Sequence, residues 1–188
     1  MRILGIDPGL QITGYGLIET GPGGPRLLEA GCLKSTAASS LERRLAELAA
    51  GIREVLAEGQ PESVAVEALF SSYKHPTSAL QMAHARGVLF LAAAEAGLPV
   101  FAYPPARVKK ALVGRGAATK SQMQSMIQSV FGLEKPPSPP DVADALAVAL
   151  CHASAMGKGN LTSKRRGRGA MPDWLQEAIE KSRKKPRT

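Results

Sequence analysis

At 188 residues, 44% apolar and only 4% aromatic, the chain is long enough for one sizeable domain with a tail. Its net charge of +8 is unevenly placed: residues 1–157 carry 14 Lys and Arg against 13 Asp and Glu, whereas residues 158–188 carry 10 against 3. No run approaches the roughly 18 apolar residues that span a bilayer, no basic-then-apolar leader is present, and Cys32 and Cys151 match no metal-binding spacing. A cytoplasmic protein with buried free thiols and no membrane role is expected.

Ile3–Asp7 reads as a buried strand, broken by Pro8-Gly9. Ile12–Glu19 and Arg26–Leu33 flank the turn Gly21-Pro22-Gly23-Gly24-Pro25, so the first three strands form an antiparallel meander. Leu41, Leu45, Leu48, Ile52 and Leu56 recur at helical spacing and predict a helix over Leu41–Glu58. A strand at Ser63–Glu67 follows, then a long helix Thr77–Ala96 ended by Gly97 and Pro99, and a short strand Val100–Tyr103. Helices at Ala106–Leu112, Lys120–Phe131 and Asp141–Ala155 complete the series. A meander followed by alternating helices and strands predicts an α/β domain over residues 1–157: a mixed five-stranded sheet with helices on both faces. Residues 158–188 are expected to be a flexible basic tail, either a solvated end or a sequence-independent nucleic-acid arm.

Four carboxylates stand where a soluble protein gains little from them. Asp7 and Glu67 each close an apolar strand, and Asp141 and Asp144 open the apolar stretch Val142–Leu150. A charge at the end of a buried strand costs several kcal/mol unless something pairs with it. Asp141 and Asp144, three apart, share one helix face. Capping accounts for part of this, with Ser138 as N-cap, Pro139 at N1 and Asp141 at N3, but it leaves Asp144 unexplained. A hard divalent cation such as Mg²⁺ or Mn²⁺ would pair with all four. An acidic metal cluster in a basic protein points to metal-dependent chemistry on a polyanion. Gly5-Ile6-Asp7-Pro8-Gly9, with Gly14 and Gly16 after it, also suits the phosphate-cradling hairpin of an ATPase or kinase. Such enzymes need a second phosphate loop, and none is visible.

Gly5-Ile6-Asp7-Pro8-Gly9, Val66-Glu67-Ala68-Leu69-Phe70, Gln81-Met82-Ala83-His84-Ala85-Arg86-Gly87, Lys120-Ser121-Gln122 and Asp141-Val142-Ala143-Asp144-Ala145-Leu146-Ala147 occur in that order. This series resembles the signature blocks of the RuvC family, the bacterial Holliday-junction resolvases, over residues 1–155. The resemblance implies a ribonuclease H-like fold, a homodimer, and paired Mg²⁺- or Mn²⁺-dependent nicking of four-way junctions, with two cations per site. It also implies work beside the branch-migration proteins RuvA and RuvB in recombination and repair. By matching position it implies Asp7, Glu67, Asp141 and Asp144 as catalytic metal ligands. Lys109 and Lys120 would contact DNA or the transition-state charge, and Phe70 would stack on an unpaired base near the crossover. The plainer readings are a solvated basic face for the lysines, beside Arg107, Lys110 and Arg115, and a core aromatic for Phe70. His84 and Arg86 are expected to be structural or at the dimer seam, and the largely apolar helix Thr77–Ala96 is the expected interface. Two rival functions remain: a ribonuclease H acting on RNA–DNA hybrids, which needs no dimer, and a non-catalytic junction-binding module, which does not need four intact carboxylates.

Overall fold

A computed structural model describes residues 1–68, 76–114 and 116–159, with Glu177 and Glu180. Phe70 and most of the basic tail lie outside the described residues. The elements are β1 (Arg2–Asp7), β2 (Ile12–Gly21), β3 (Gly24–Lys34), α1 (Leu41–Gly59), β4 (Ser63–Glu67), α2 (Pro76–Glu95), β5 (Val100–Tyr103), α3 (Pro105–Val113), α4 (Lys120–Phe131) and α5 (Pro140–Gly159). The sheet order is β3-β2-β1-β4-β5. β1, β2 and β3 pair antiparallel, whereas β1–β4 and β4–β5 are parallel, with α1 leading from β3 to β4 and α2 supplying the crossover that the parallel β4–β5 pair needs.

The side-chain period of two divides the sheet into two cores. Leu4, Ile6, Val64 and Val66 point into a core with Leu48, Ile52, Val55 and Leu56 of α1 and Ala85, Leu89, Ala92 and Ala93 of α2. Ile3, Ile18, Ala65 and Tyr103 point the other way, into a core with α3, α4 and α5. Each fully buried Ile or Leu contributes about 1.5–3 kcal/mol, which lets the sheet tolerate unfavourable charge at its strand ends.

α5 is buried almost all round from Val142 to His152, and its small residues allow a close approach to the sheet. The sheet answers with glycine. A Cβ on Gly5 would overlap the Ala145 carbonyl oxygen, and one on Gly14 would overlap that of Asp141. The helix begins at Pro140, so Ser138 lies outside it and does not take the expected N-cap position. The Val142 N–H donates to the Pro139 carbonyl at 3.1 Å instead. Asp141 nonetheless lies in the first turn of α5, where the helix dipole favours an acid, so helix stability still accounts for part of its placement. Both cysteines are free: Cys151 is buried as expected, but Cys32 only partly so.

Candidate active site

Asp7 pairs with Gly14 of β2, and Glu67 pairs with Tyr103 of β5. Between them the parallel β1–β4 ladder reaches Ile6 opposite Val66. One more step along that ladder sets Asp7 beside Glu67, in a single row Gly14–Asp7–Glu67–Tyr103 across the carboxyl ends of the strands. Alternation puts Asp7 on the face that carries Ile3 and Gly5, and Glu67 on the face that carries Ala65, which is the face covered by α5. α5 brings its first turn to this row, with the Asp141 backbone resting on Gly14. Asp144 follows one turn later.

The electrostatics report the same gathering. Burial pushes the Asp7 carboxyl from its ordinary 3.8 up to about 8, helped by the negative charges of Asp144, Glu67 and Asp141, while Lys120 pulls the other way. Glu67 is raised by burial and by Asp144, against Lys109 and Lys120. Asp144 is raised by burial and by Asp141, against the same two lysines. All four predicted carboxylates, and both predicted lysines, thus lie within electrostatic reach of one cluster. Lys109 comes from α3, and Lys120 is the first residue of α4. The start of α4 is held by a capping box: Thr119 Oγ1 accepts from the Gln122 N–H at 3.2 Å, and Gln122 Oε1 accepts from the Thr119 N–H at 3.0 Å.

The carboxylates are close enough to perturb one another but do not form a closed coordination shell. Among the described residues, no group of three or more His, Cys, Asp or Glu stands in metal-holding geometry. The fit to a cation rests on the donor chemistry: oxygen ligands only, partly buried, with more negative charge than two lysines offset. That set suits a hard divalent ion.

Arg86 lies nearer to this centre than its sequence context indicated. It donates to the backbone carbonyl of Glu67, and its guanidinium stands 4.4 Å from the centre of the Phe90 ring. His84 is exposed on α2. A buried polar cluster escaped the sequence reading altogether. His152 of α5 shares hydrogen bonds with the Tyr103 hydroxyl (Nδ1, 2.7 Å) and Ser63 Oγ (Nε2, 3.2 Å). Its ring lies 4.4 Å from that of Phe101, and burial lowers its pKa. The signal available was spacing, since His152 follows Asp144 by eight residues and so falls near the same helix face.

Known proteins share this chain's sequence pattern and fold. Residues 3–152 match the family model described as Crossover junction endodeoxyribonuclease RuvC. The protein of that name from Moorella thermoacetica is 53% identical over 154 residues, spanning 82% of this chain and 92% of the relative. Its counterpart from Rhodopirellula baltica is 50% identical over 151 residues, spanning 79% and 84%. The solved structure of T. thermophilus RuvC in complex with Holliday junction substrate superposes with a TM-score of 0.80 at 39% identity, covering 85% of this chain and 96% of that one. A yeast mitochondrial Holliday junction resolvase superposes with a TM-score of 0.61 at 12% identity, covering 96% and 82%, a likeness of fold alone. The expected ribonuclease H-like architecture is thus the one present, and the chain belongs to the RuvC family of crossover junction endodeoxyribonucleases.

Proposed function

We propose that this chain resolves four-way DNA junctions in recombination and repair by paired, symmetric, cation-dependent nicks, with Asp7, Glu67, Asp141 and Asp144 as its catalytic, metal-holding carboxylates. The observation that carries the reading is Asp7, whose carboxyl is raised to about 8 by burial and by three neighbouring carboxylates. Such an excess of negative charge is what a divalent cation relieves, and Mg²⁺ or Mn²⁺, two per site, fits the all-oxygen set. Bound there, the cations would supply an acidified water and positive charge at the leaving oxygen. The protein's part is placement. Asp7 and Glu67 hold one side of the site from rigid strands, Asp141 and Asp144 hold the other from a buried helix, and Lys109 and Lys120 face the phosphate charge.

One cut leaves a nicked junction, so resolution needs two sites related by a two-fold axis, as in a homodimer. The proposed seam is α2, where Leu80 and Leu91 are 63% and 56% exposed. With His84 and Gly87 they form a stripe at helical spacing. Residues 1–157 would be the nuclease domain and 158–188 a basic arm for DNA. Cooperation with RuvA and RuvB, and a cytoplasmic location, are carried from the family resemblance. Among the described residues no helix is long and apolar enough to cross a membrane.

The test is cleavage of a labelled synthetic four-way junction with Mg²⁺ and then Mn²⁺, beside linear duplex and an RNA–DNA hybrid. Paired nicks on the junction alone, abolished by EDTA, are expected. Cutting of the hybrid would move the reading to a ribonuclease H. Tight binding without cutting would leave only a junction-binding module.

A further inference from the structure

We propose that His152 is a positioning residue: its hydrogen bonds to Ser63 and Tyr103 set the axial register of α5 on the sheet and thereby bring Asp141 and Asp144 level with Asp7 and Glu67. The inference rests on the proposed carboxylate site.

α5 and β4 act as two rulers laid side by side. Ser63 is the first residue of β4 and Glu67 the last, a span of about 13 Å at strand rise. From His152 back to Asp144 the helix covers about 12 Å. With His152 fixed at Ser63, Asp144 arrives at the height of Glu67, and the charge coupling between those two carboxylates reports their proximity. A slide of α5 along its axis would separate them.

Tyr103 supplies the cross-link. It stands opposite Glu67 in the sheet, and its backbone carbonyl accepts the Ala68 N–H at 2.8 Å, directly after Glu67. Its side chain reaches back along the strand direction to His152, so the site row and the His152 anchor share one residue. The ring of Tyr103 is also held from outside by Arg107, whose guanidinium lies 4.9 Å from the ring centre. Elsewhere, α5 meets the sheet largely through alanine, leucine and glycine, whose contacts carry no preferred direction. Hydrogen bonds do carry direction. A neutral imidazole with one donor and one acceptor nitrogen, each matched to a hydroxyl, fixes both the height and the rotation of the helix.

The test compares Tyr103→Phe, His152→Phe, His152→Gln and Asp7→Asn in the full chain. Three quantities are read: single-turnover cleavage of a four-way junction at saturating Mn²⁺, calorimetric Mn²⁺ affinity without DNA, and junction affinity. Tyr103→Phe and His152→Phe should each slow cleavage by about tenfold and weaken Mn²⁺ binding by about threefold, with junction affinity unchanged. His152→Gln, which can still hydrogen-bond, should recover part of both. Wild-type cleavage rate and Mn²⁺ affinity in both phenylalanine variants, with only Tm lowered, would overturn the inference. If His152→Phe does not fold, Tyr103→Phe, which removes a single hydroxyl, decides. Asp7→Asn separates the two levels. Wild-type cutting by that variant rejects the site reading itself, whereas an inert Asp7→Asn beside wild-type behaviour in the phenylalanine variants rejects only the register.

Discussion

Asp141 rests its backbone carbonyl directly on Gly14, the residue paired with Asp7, so a carboxylate of the helix and a carboxylate of the strand share one glycine as their spacer. Any side chain at Gly14 must push α5 off the sheet, because the obstacle is backbone and cannot turn aside. Gly14→Ala should therefore cost about 1–3 kcal/mol of stability in urea unfolding and remove most cleavage. Gly157→Ala, near the end of the same helix with open space around it, is the control. It should gain up to about 1 kcal/mol in helix propensity and leave cleavage unchanged.

The raised pKa of Asp7 makes stability depend on pH in a defined direction. The folded state keeps a proton that the unfolded state releases, between the ordinary 3.8 and about 8. This contribution is fully present at the acid end and is lost as pH rises through about 8. Glu67 and Asp144 are raised as well and have the same sign. In EDTA, urea midpoints should fall between about pH 5.5 and 8.5, and Mn²⁺ at the higher pH should restore them. Asp7→Asn should abolish cleavage, leave junction binding largely intact and remove most of the pH dependence. An Asp7→Asn protein that kept the full pH slope would place the titration elsewhere.

Lys120 lowers the proton affinity of Asp7, Glu67 and Asp144 together. Lys120→Met should raise all three, so the acid limb of the cleavage pH profile moves to higher pH. If the lysine also meets a phosphate, the salt dependence of junction binding should shallow by about one counterion. A pH profile that stays in place would separate Lys120 from the carboxylates.

Phe70 follows Glu67 by three residues, and its proposed role comes from the family resemblance. Loss of one base stack costs about 1–3 kcal/mol. Phe70→Ala should slow resolution of a fully paired junction and spare one whose centre is already opened. Equal losses on both substrates would make Phe70 a packing residue.

The strand-end carboxylates were legible because the pattern was local: Asp7 and Glu67 each interrupt an apolar run where burial should continue. The parallel pairing of β1 with β4 was also foreseeable from the order of elements, and the register carries it. Ser138 misled, because an N-cap preference is a short-range signal and the helix begins two residues later, at Pro140. Spacing along α5 could point to His152 alone, because its partners Ser63 and Tyr103 lie 89 and 49 residues away in the chain and meet it only through the fold. The glycines at positions 5, 14 and 16 looked like turn or phosphate-loop chemistry. Their physical task is to admit a helix against a strand, which no spacing rule along a single segment reveals.

Asp7 and Glu67 come from β1 and β4, whereas Asp141 and Asp144 come from α5, the last of the described elements in chain order, so the two halves of the cluster are made at different times in synthesis. A chain interrupted before Pro140 has Asp7 and Glu67 but neither Asp141 nor Asp144, and it lacks the helix that covers that face of the sheet. On the proposed site, an unfinished or truncated chain would lack two of its four carboxylates and would not cut, so cutting competence would arrive together with completion of the fold.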